Sequence, residues 1–169
     1  MTNTLLRSAA LAATLLCATP AIAQSSAMTS KGLLLKPLTL TNRADLDFGD
    51  IVPSGTGDFV TINADTGLRT TDKAMLLSSN LGRRAEFASS GLNNTLVALV
   101  LSPPGDLLNA AGKKLRVTRL TLDQNNFPIR ILSPASQVFF VAIGGDIFLR
   151  PDQEEGLYTG TFTLTAVYF

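Results

Sequence analysis

The sequence contains no histidine, and its only cysteine is Cys17. Histidine is the usual general base, and thiolates and imidazoles supply nearly all zinc ligands. Only carboxylates remain for catalysis, so we expect a protein that is not an enzyme and that uses no metal and no cofactor. Cys17 lies in a segment that we expect to be removed, so the folded domain has neither a disulfide nor a free thiol.

Excess charge and helical periodicity are also missing. The 14 basic and 13 acidic side chains almost cancel, and there is no basic stripe of the kind that nucleic-acid binding requires. No stretch of residues 24–169 repeats apolar side chains at the helical spacing i, i+3, i+4, i+7. We therefore expect no nucleic-acid partner and a fold built from strands.

Residues 1–23 have the composition of a signal peptide. Arg7 provides a positive n-region, Leu11–Ala18 an apolar core too short to span a bilayer, and Ala21–Ala23 an A-x-A cleavage site. A lipoprotein signal at Cys17 and an uncleaved anchor are the alternatives. We expect export to the periplasm, the cell surface or the extracellular space, with no membrane span after cleavage.

The rest of the chain has the length of one domain. Cleavage would leave 169 − 23 = 146 residues, enough to bury a core. Residues 24–32 are small and polar, which predicts a flexible N-terminal segment. Residues 33–169 are predicted to form a single β-sandwich domain.

Short extended segments follow one another through this domain. Leu33–Leu40 is expected to be a first strand that kinks at Pro37, and Thr95–Leu101, the most continuously apolar run, a central strand buried on both faces. The alternation in Leu115–Leu122 slips by one residue at Arg119, as an extra bulge residue would cause. Further strands are expected at Phe59–Ile62, Ala74–Ser78, Ala85–Ala88 and Val138–Ile143.

Turn signals between these segments indicate the fold class. Asn63–Gly67 is typical of a tight turn, while Gly144-Gly145 predicts either a two-residue hairpin turn or a bulge in one bent strand. The pattern predicts an all-β, immunoglobulin-like antiparallel β-sandwich of about 8–9 short strands. A small barrel is the alternative.

Three groups of charged residues are candidate sites. They are Asp45, Asp47 and Asp50; Asp152, Glu154 and Glu155; and Lys113, Lys114, Arg116 and Arg119. The first group could ligate calcium, the second could serve glycoside hydrolysis, and the third could bind an acidic glycan. We favour the simpler interpretation for each, namely a turn, a solvated loop and a solvent-facing strand that protects a sheet edge.

The last fourteen residues alternate between apolar and hydroxyl-bearing side chains, which predicts a strand with one apolar face. Such a strand at a chain end needs a neighbour to hold it. One parity of this segment reads Gly156, Tyr158, Gly160, Phe162, Leu164, Ala166 and Tyr168.

This segment resembles the carboxy-terminal motif of pilus subunits assembled by the chaperone–usher route. Those subunits carry a glycine fourteen residues from the end, alternating apolar residues and a penultimate tyrosine, which correspond here to Gly156, to Phe162, Leu164 and Ala166, and to Tyr168. The resemblance implies that the seven residues from Gly156 to Tyr168 on one parity form an assembly or chaperone-recognition strand. It also implies that a periplasmic chaperone, an usher or like subunits are partners. Many pilins have a disulfide, which this chain lacks.

Most of the domain resembles an uncharacterised family of exported bacterial β-sandwich domains, a domain of unknown function related to spore-coat-protein-U-like and archaic fimbrial subunits. The residues that carry this resemblance are PLTLTNRADLDFG at 37–49, RAEF at 84–87 with Gly91, IGGDIFL at 143–149, and GLYTGTFTLTAVYF at 156–169. The resemblance implies export and an immunoglobulin-like sandwich, with no activity attached.

Together these expectations favour an exported, non-catalytic, fimbria-like subunit of a surface assembly. Gln24–Gly32 offers few apolar side chains to a neighbouring subunit, whereas Leu33–Leu40 could donate a strand or stay within its own domain. The alternative function is a self-contained binding module for a glycan or another surface ligand, which would use the loops Leu92–Asn94 or Asp106–Gly112.

Overall fold

The structure is a computed structural model that describes residues 31–132, 134–135 and 137–169. The expected signal peptide and most of the expected flexible segment therefore lie outside the described residues. Residues 34–169 form one compact unit. In the ranges described, no helix is long and apolar enough to cross a membrane.

Within the described ranges the chain forms twelve strands and one short helical turn. The strands are β1 (Thr39–Ala44), β2 (Ile51–Val52), β3 (Asp58–Ile62), β4 (Arg69–Thr71), β5 (Met75–Leu76), β6 (Ala85–Ser90), β7 (Leu96–Leu101), β8 (Leu107–Leu108), β9 (Lys114–Leu122), β10 (Ile129–Ile131), β11 (Val138–Leu149) and β12 (Leu164–Tyr168). The helical turn, α1 (Asp123–Asn126), has left-handed φ angles at Gln124 and Asn125.

The strands make two main antiparallel sheets. The larger has the order β1-β6-β11-β3-β4, with β9 also paired to β11 and β8 to β9, and the smaller has the order β10-β7-β12. A separate pair consists of β2 and β5. The expected all-β antiparallel sandwich is confirmed, with more and shorter strands than predicted.

The longest strand, β11, passes straight through the double glycine. It pairs with β6 at Val138–Ile143 and with β3 at Gly145–Leu149, while β9 pairs along 143–148. The hairpin alternative for Gly144-Gly145 is therefore wrong, because both glycines lie inside one strand. A Cβ on Gly144 would lie 2.1 Å from the carbonyl oxygen of Ile62, so the glycine allows β3 to approach.

The predicted bulge in β9 is confirmed. Asp146 pairs with Arg119 and Ile147 with Val117, which leaves Thr118 as the extra residue. The bulge shifts the alternation so that Val117 and Leu120 both pack into the core, although they are three residues apart.

The core is divided into two clusters. The first lies between the two main sheets and includes Val97, Val141, Ile143 and Leu164. The second lies under the other half of β11 and includes Val60 and Ile147. The length of β11 therefore joins both clusters into one domain.

The strand β7 departs from expectation in its burial. It lies between β10 and β12, so its central position is confirmed, but Val100 is 57% exposed and Leu96 39%. The expectation of burial on both faces is wrong because the smaller sheet packs on the core with one face only.

The first and last predicted strands are shorter than expected. The first begins at Thr39, after Pro37, and the leucines before it are outside any strand, with Leu33 84% and Leu34 95% exposed. The last is confined to Leu164–Tyr168. The segment before it makes a single bridge, from Thr159 to Leu108, and then crosses from β8 to β7, which interrupts the ladder despite the continuous alternation.

A buried carboxylate, Asp58, fastens the connection between β4 and β5. Burial by itself would raise the pKa of this group, but the hydrogen bonds that it accepts outweigh burial and lower the pKa to about 2. They come from the Thr71 hydroxyl (2.5 Å) and from the amides of Ala74 (2.7 Å), Lys73 (3.0 Å) and Phe59 (2.8 Å).

We predict that Gly144→Ala lowers the free energy of unfolding by roughly 1–3 kcal/mol or more, because the added methyl group meets backbone that cannot rotate away. Gly105→Ala is the control, since nothing lies within 4 Å of a Cβ placed there. Urea titration measures both variants. A Gly144 variant as stable as the Gly105 variant would show that the close approach is not needed.

We predict that acid destabilises the domain through Asp58. Because its folded pKa lies near 2 and its ordinary value is 3.8, the stabilisation is present above pH 4 and is lost as pH falls towards 2, by about 2 kcal/mol. Asp58→Asn should remove this part of the pH dependence of unfolding, whereas exposed Asp72→Asn, in the same connection, should keep it. An unchanged profile for Asp58→Asn would contradict the assignment.

Candidate functional site

Within residues 156–169, the predicted alternation of buried and exposed side chains occurs in the second half of the segment. Leu164 is buried in the first core cluster, and Phe162, Ala166 and Tyr168 pack against that cluster while remaining half-buried. Phe162 makes an edge-to-face contact with Phe87 on β6, with ring centroids 6.4 Å apart. These four of the seven predicted residues form one site.

The other three predicted residues lie elsewhere. Tyr158 packs against the second core cluster and donates its hydroxyl to the carbonyl of Glu154 (2.7 Å). Gly160 is exposed beside Leu107, and Gly156, with φ of +136°, lies by the β8–β9 hairpin. The single apolar face predicted for the whole segment is therefore wrong, because the crossing between sheets separates its two halves.

One edge of β12 is open. Its backbone pairs with β7 from Leu164 opposite Leu101 to Tyr168 opposite Val97. No other described strand pairs with β12, so the backbone of its second edge has no strand partner among the described residues. In the larger sheet, β1 is also terminal, because β6 is the only described strand that pairs with it.

The hydroxyl of Tyr168 connects β12 to the segment that leads into β1. It accepts a hydrogen bond from the amide of Leu92 (2.7 Å) and donates one to the carbonyl of Lys36 (3.0 Å). A Cβ on Gly91 would lie 2.1 Å from this oxygen, so the glycine makes room for the clamp. One side chain therefore joins β12, the β6–β7 connection and the entry to β1.

Between the two edges lies a strip of half-buried apolar side chains, which we call the β1–β12 groove. All of them pack against the first core cluster and remain half-buried. Its residues are Leu38, Leu40, Phe87, Phe162, Ala166 and Tyr168. An unpaired backbone edge beside an apolar strip can accept an extended peptide as an additional strand.

The first acidic group serves its own loop. Asp47 accepts hydrogen bonds from the Gly49 amide (2.8 Å) and the Asn80 side chain (3.1 Å), and Asp50 accepts one from Ser79 (2.6 Å). Among the described residues, no cluster of three or more metal-ligating side chains occurs. These bonds connect Asp47 and Asp50 to neighbouring loop residues.

The second acidic group and the basic group partly neutralise each other. Nζ of Lys113 lies 2.6 Å from Oε1 of Glu154. The hydrogen bond that the lysine donates to this carboxylate raises the pKa of Lys113. Lys114 pairs with Asp106 (3.5 Å), and Arg119 with Asp146 (2.8 Å). Three of the four basic residues therefore have a carboxylate partner. β9, which carries Lys114, Arg116 and Arg119, pairs with β11 on one side, and on the other side it pairs with β8 only at Lys114 and Leu115. The rest of that side pairs with no other described strand.

The two loops proposed for ligand binding lie in different places. Leu92 is part of the Tyr168 clamp. The loop Asp106–Gly112 contains β8 and borders a cavity of about 580 Å³. This cavity is lined by Leu108, Asn109, Ala110, Ala111, Glu155, Gly156, Leu157 and Thr159.

Sequence reasoning did not identify the clamp partners of Tyr168. Lys36 and Leu92 contribute backbone groups, which no side-chain pattern reports. The one available signal was Gly91 at the start of the β6–β7 connection, since a glycine can mark a close approach of another group.

We predict that Tyr168→Phe costs about 1–2 kcal/mol in unfolding free energy, because it leaves the amide of Leu92 without its partner. Hydrogen exchange at the Leu92 amide should accelerate as well. Phe169→Leu, at an exposed neighbouring position, is the control and should change neither quantity. Unaltered exchange in the Tyr168 variant would remove the clamp from the account.

Comparison with known proteins places this fold in a family. No curated protein and no solved structure matches the chain significantly. Residues 38–168 match the model of a protein family, a span that begins at the groove residue Leu38 and ends at the clamp residue Tyr168. The chain therefore belongs to the family described as Domain of unknown function (DUF4402).

Proposed function

We propose that this protein is an exported, non-catalytic subunit of a fimbria-like surface structure, and that its subunits join by inserting a strand into the β1–β12 groove. The observation that carries the proposal is the open edge of β12 beside half-buried apolar side chains. An added strand would pair with that edge through backbone hydrogen bonds and cover the strip with alternate side chains.

Filling the groove would contribute a free energy comparable with the stability of the domain. Fully burying a large apolar side chain is worth about 1.5–3 kcal/mol, so completing the burial of four half-buried ones contributes about 3–6 kcal/mol. That sum approaches the total stability of a small domain, about 5–15 kcal/mol. A subunit with its groove filled is therefore considerably more stable than one with its groove empty.

The chain carries a segment suited to filling a neighbour's groove. Leu33 and Leu35 point to the same side of an extended chain and are exposed, at 84% and 48%. They precede β1 and lie outside the strands of their own domain. A contact in which one end of a subunit enters the groove of the next is head-to-tail, so it extends into a filament.

The resemblance of Gly156–Phe169 to the terminal motif of chaperone–usher subunits supports the same proposal. So does the wider resemblance to spore-coat-protein-U-like and archaic fimbrial subunits. On this proposal a periplasmic chaperone occupies the open edge of β12 until a second subunit replaces it at an usher. The protein would act at the cell surface after export.

We predict that Leu33→Asp combined with Leu35→Asp abolishes assembly, because a charged side chain cannot enter the apolar groove without a large desolvation cost. Leu34→Asp is the matched control. Leu34 is 95% exposed and has the opposite parity, so its variant should still assemble. Electron microscopy and sedimentation of the exported chain measure the polymer.

Polymers formed equally by the double variant and by the control would contradict strand donation by this segment. Deletion of residues 24–35 should have the same effect as the double substitution while leaving the Lys36 contact to Tyr168 intact. If the wild-type chain starting at Gln24 is a stable, cooperatively unfolding monomer that never polymerises, the groove is not an assembly site and the binding-module alternative is favoured.

A further inference from the structure

A second concave site lies on the opposite side of the larger sheet, where β1, β6 and β11 turn their outer faces away from the core. It is a shallow cavity of about 270 Å³. Its lining residues are Arg43, Arg84, Glu86, Phe140 and Val141. The volume suits a ligand of small size, just below the usual range for ligand pockets.

A β-bulge places one arginine at the cavity. Asn42 pairs with Phe87 and Ala44 with Glu86, so Arg43 is the extra residue on β1. A bulged residue is re-aimed relative to its neighbours, and the guanidinium carbon of Arg43 lies 5.5 Å from the ring centroid of Phe140, two strands away. Between them lies β6, whose Ala88 pairs with Phe140.

Internal hydrogen bonds orient the polar groups of the cavity without using all of their donors and acceptors. Arg84 directs Nε and Nη2 to the same oxygen, Oε1 of Glu86, each at 3.2 Å, and donates from Nη1 to the carbonyl of Ala64 (2.9 Å). The second carboxylate oxygen of Glu86 accepts no hydrogen bond from a described residue. Arg43 has no hydrogen bond or ion pair with a described residue, and its guanidinium lies over the Phe140 ring in a cation–π contact that leaves its N–H donors unused. An acceptor and a guanidinium therefore stay available to a ligand.

The aromatic ring gives the cavity its third recognition element. Phe140 is 60% exposed, although Phe139 and Val141 beside it are buried in the core. A large aromatic side chain presented on a sheet face offers a flat apolar platform, and its electron-rich face attracts polarised C–H groups and cations. Two guanidinium groups against one carboxylate leave the cavity with one net positive charge.

We propose that this cavity binds a sugar that carries a carboxylate. The carboxylate of the sugar pairs with Arg43, its C–H groups pack against the part of the Phe140 ring that Arg43 leaves uncovered, and a neighbouring hydroxyl donates to the free oxygen of Glu86. Arginine is suited to this role because its planar fork matches a carboxylate with two parallel hydrogen bonds. A neutral sugar would leave Arg43 unpaired, and a simple anion would not use the ring.

The site is separate from the assembly groove. The groove uses inward-facing side chains of β1 and β6, whereas the cavity uses outward-facing side chains of the same strands. Both can therefore be occupied in one subunit, and a filament would present the cavity repeatedly along its length. The proposal of a sugar site does not depend on the proposal of strand donation.

Titration calorimetry with the chain starting at Gln24 tests the proposal, using an oligogalacturonide as the probe and its carboxyl-reduced, neutral counterpart as the comparison. We expect binding of the acidic probe and at least tenfold weaker binding of the reduced one. Phe140→Ala and Arg43→Gln should each weaken binding of the acidic probe tenfold or more. Raising the salt concentration should also weaken it.

The matched controls come from the same sheet. Phe59→Ala removes another aromatic ring, 50% exposed, and Arg116→Gln removes another exposed arginine of the outer face; both should bind like the wild type. Circular dichroism confirms folding of every variant. The proposal is overturned if the acidic probe does not bind, if the reduced probe binds equally well, or if the control variants lose binding as much as the cavity variants do.

Discussion

The close approach of backbones around Gly144 and Gly145 is the constraint on which the architecture depends. Side chains at these positions would collide with the carbonyl oxygens of Ile62 on one side and Arg119 on the other, at 2.1 and 2.7 Å. With both side chains absent, one twelve-residue strand pairs with β6, β3 and β9. The two core clusters then lie against a common strand, which makes them parts of a single unit.

That arrangement determines which strands are left at the edges. In the larger sheet, whose order has β11 at its centre, the terminal strands are β1 and β4, and in the smaller sheet they are β10 and β12. Of these four ends, those at β1 and β12 lie close to Tyr168. Tyr168 ties the two ends to each other through the Lys36 carbonyl and the Leu92 amide. The same hydroxyl that closes the end of the sandwich therefore borders the apolar strip available to an incoming strand. On the proposed function, the residue that stabilises this end of the sandwich also borders the assembly site.

Much of the fold could be predicted because alternation reports local conformation directly. The strand at 59–62, the bulge near Arg119 and the tight turn at Asn63–Gly67 were all indicated by residue pattern alone. Very short strands such as β8 and β10 were missed, since two or three residues carry no period. The burial of β7 was overestimated because apolarity alone does not show that a strand has only one packed face.

The candidate site was predicted in part for a related reason. Alternation from Tyr158 onwards suggested one continuous strand, yet only Leu164–Tyr168 joins a ladder. Where a segment leaves one sheet for another depends on partners distant in sequence, here Leu108 and Leu101. The cavity at Arg43 and Phe140 was not foreseen either, because those residues lie 97 positions apart and meet only through the pairing of β6 with both neighbours.

The central claim, that an N-terminal segment enters the β1–β12 groove of another subunit, is tested most directly by mixed cross-linking. The chain starting at Gln24 has no cysteine, so one subunit can carry Leu35→Cys and another Ala166→Cys, an inward-facing groove position. The account predicts a disulfide-linked heterodimer on oxidation, and little of it when the second subunit instead carries outward-facing Val167→Cys. Equal cross-linking of both pairs, or of neither, would contradict the account.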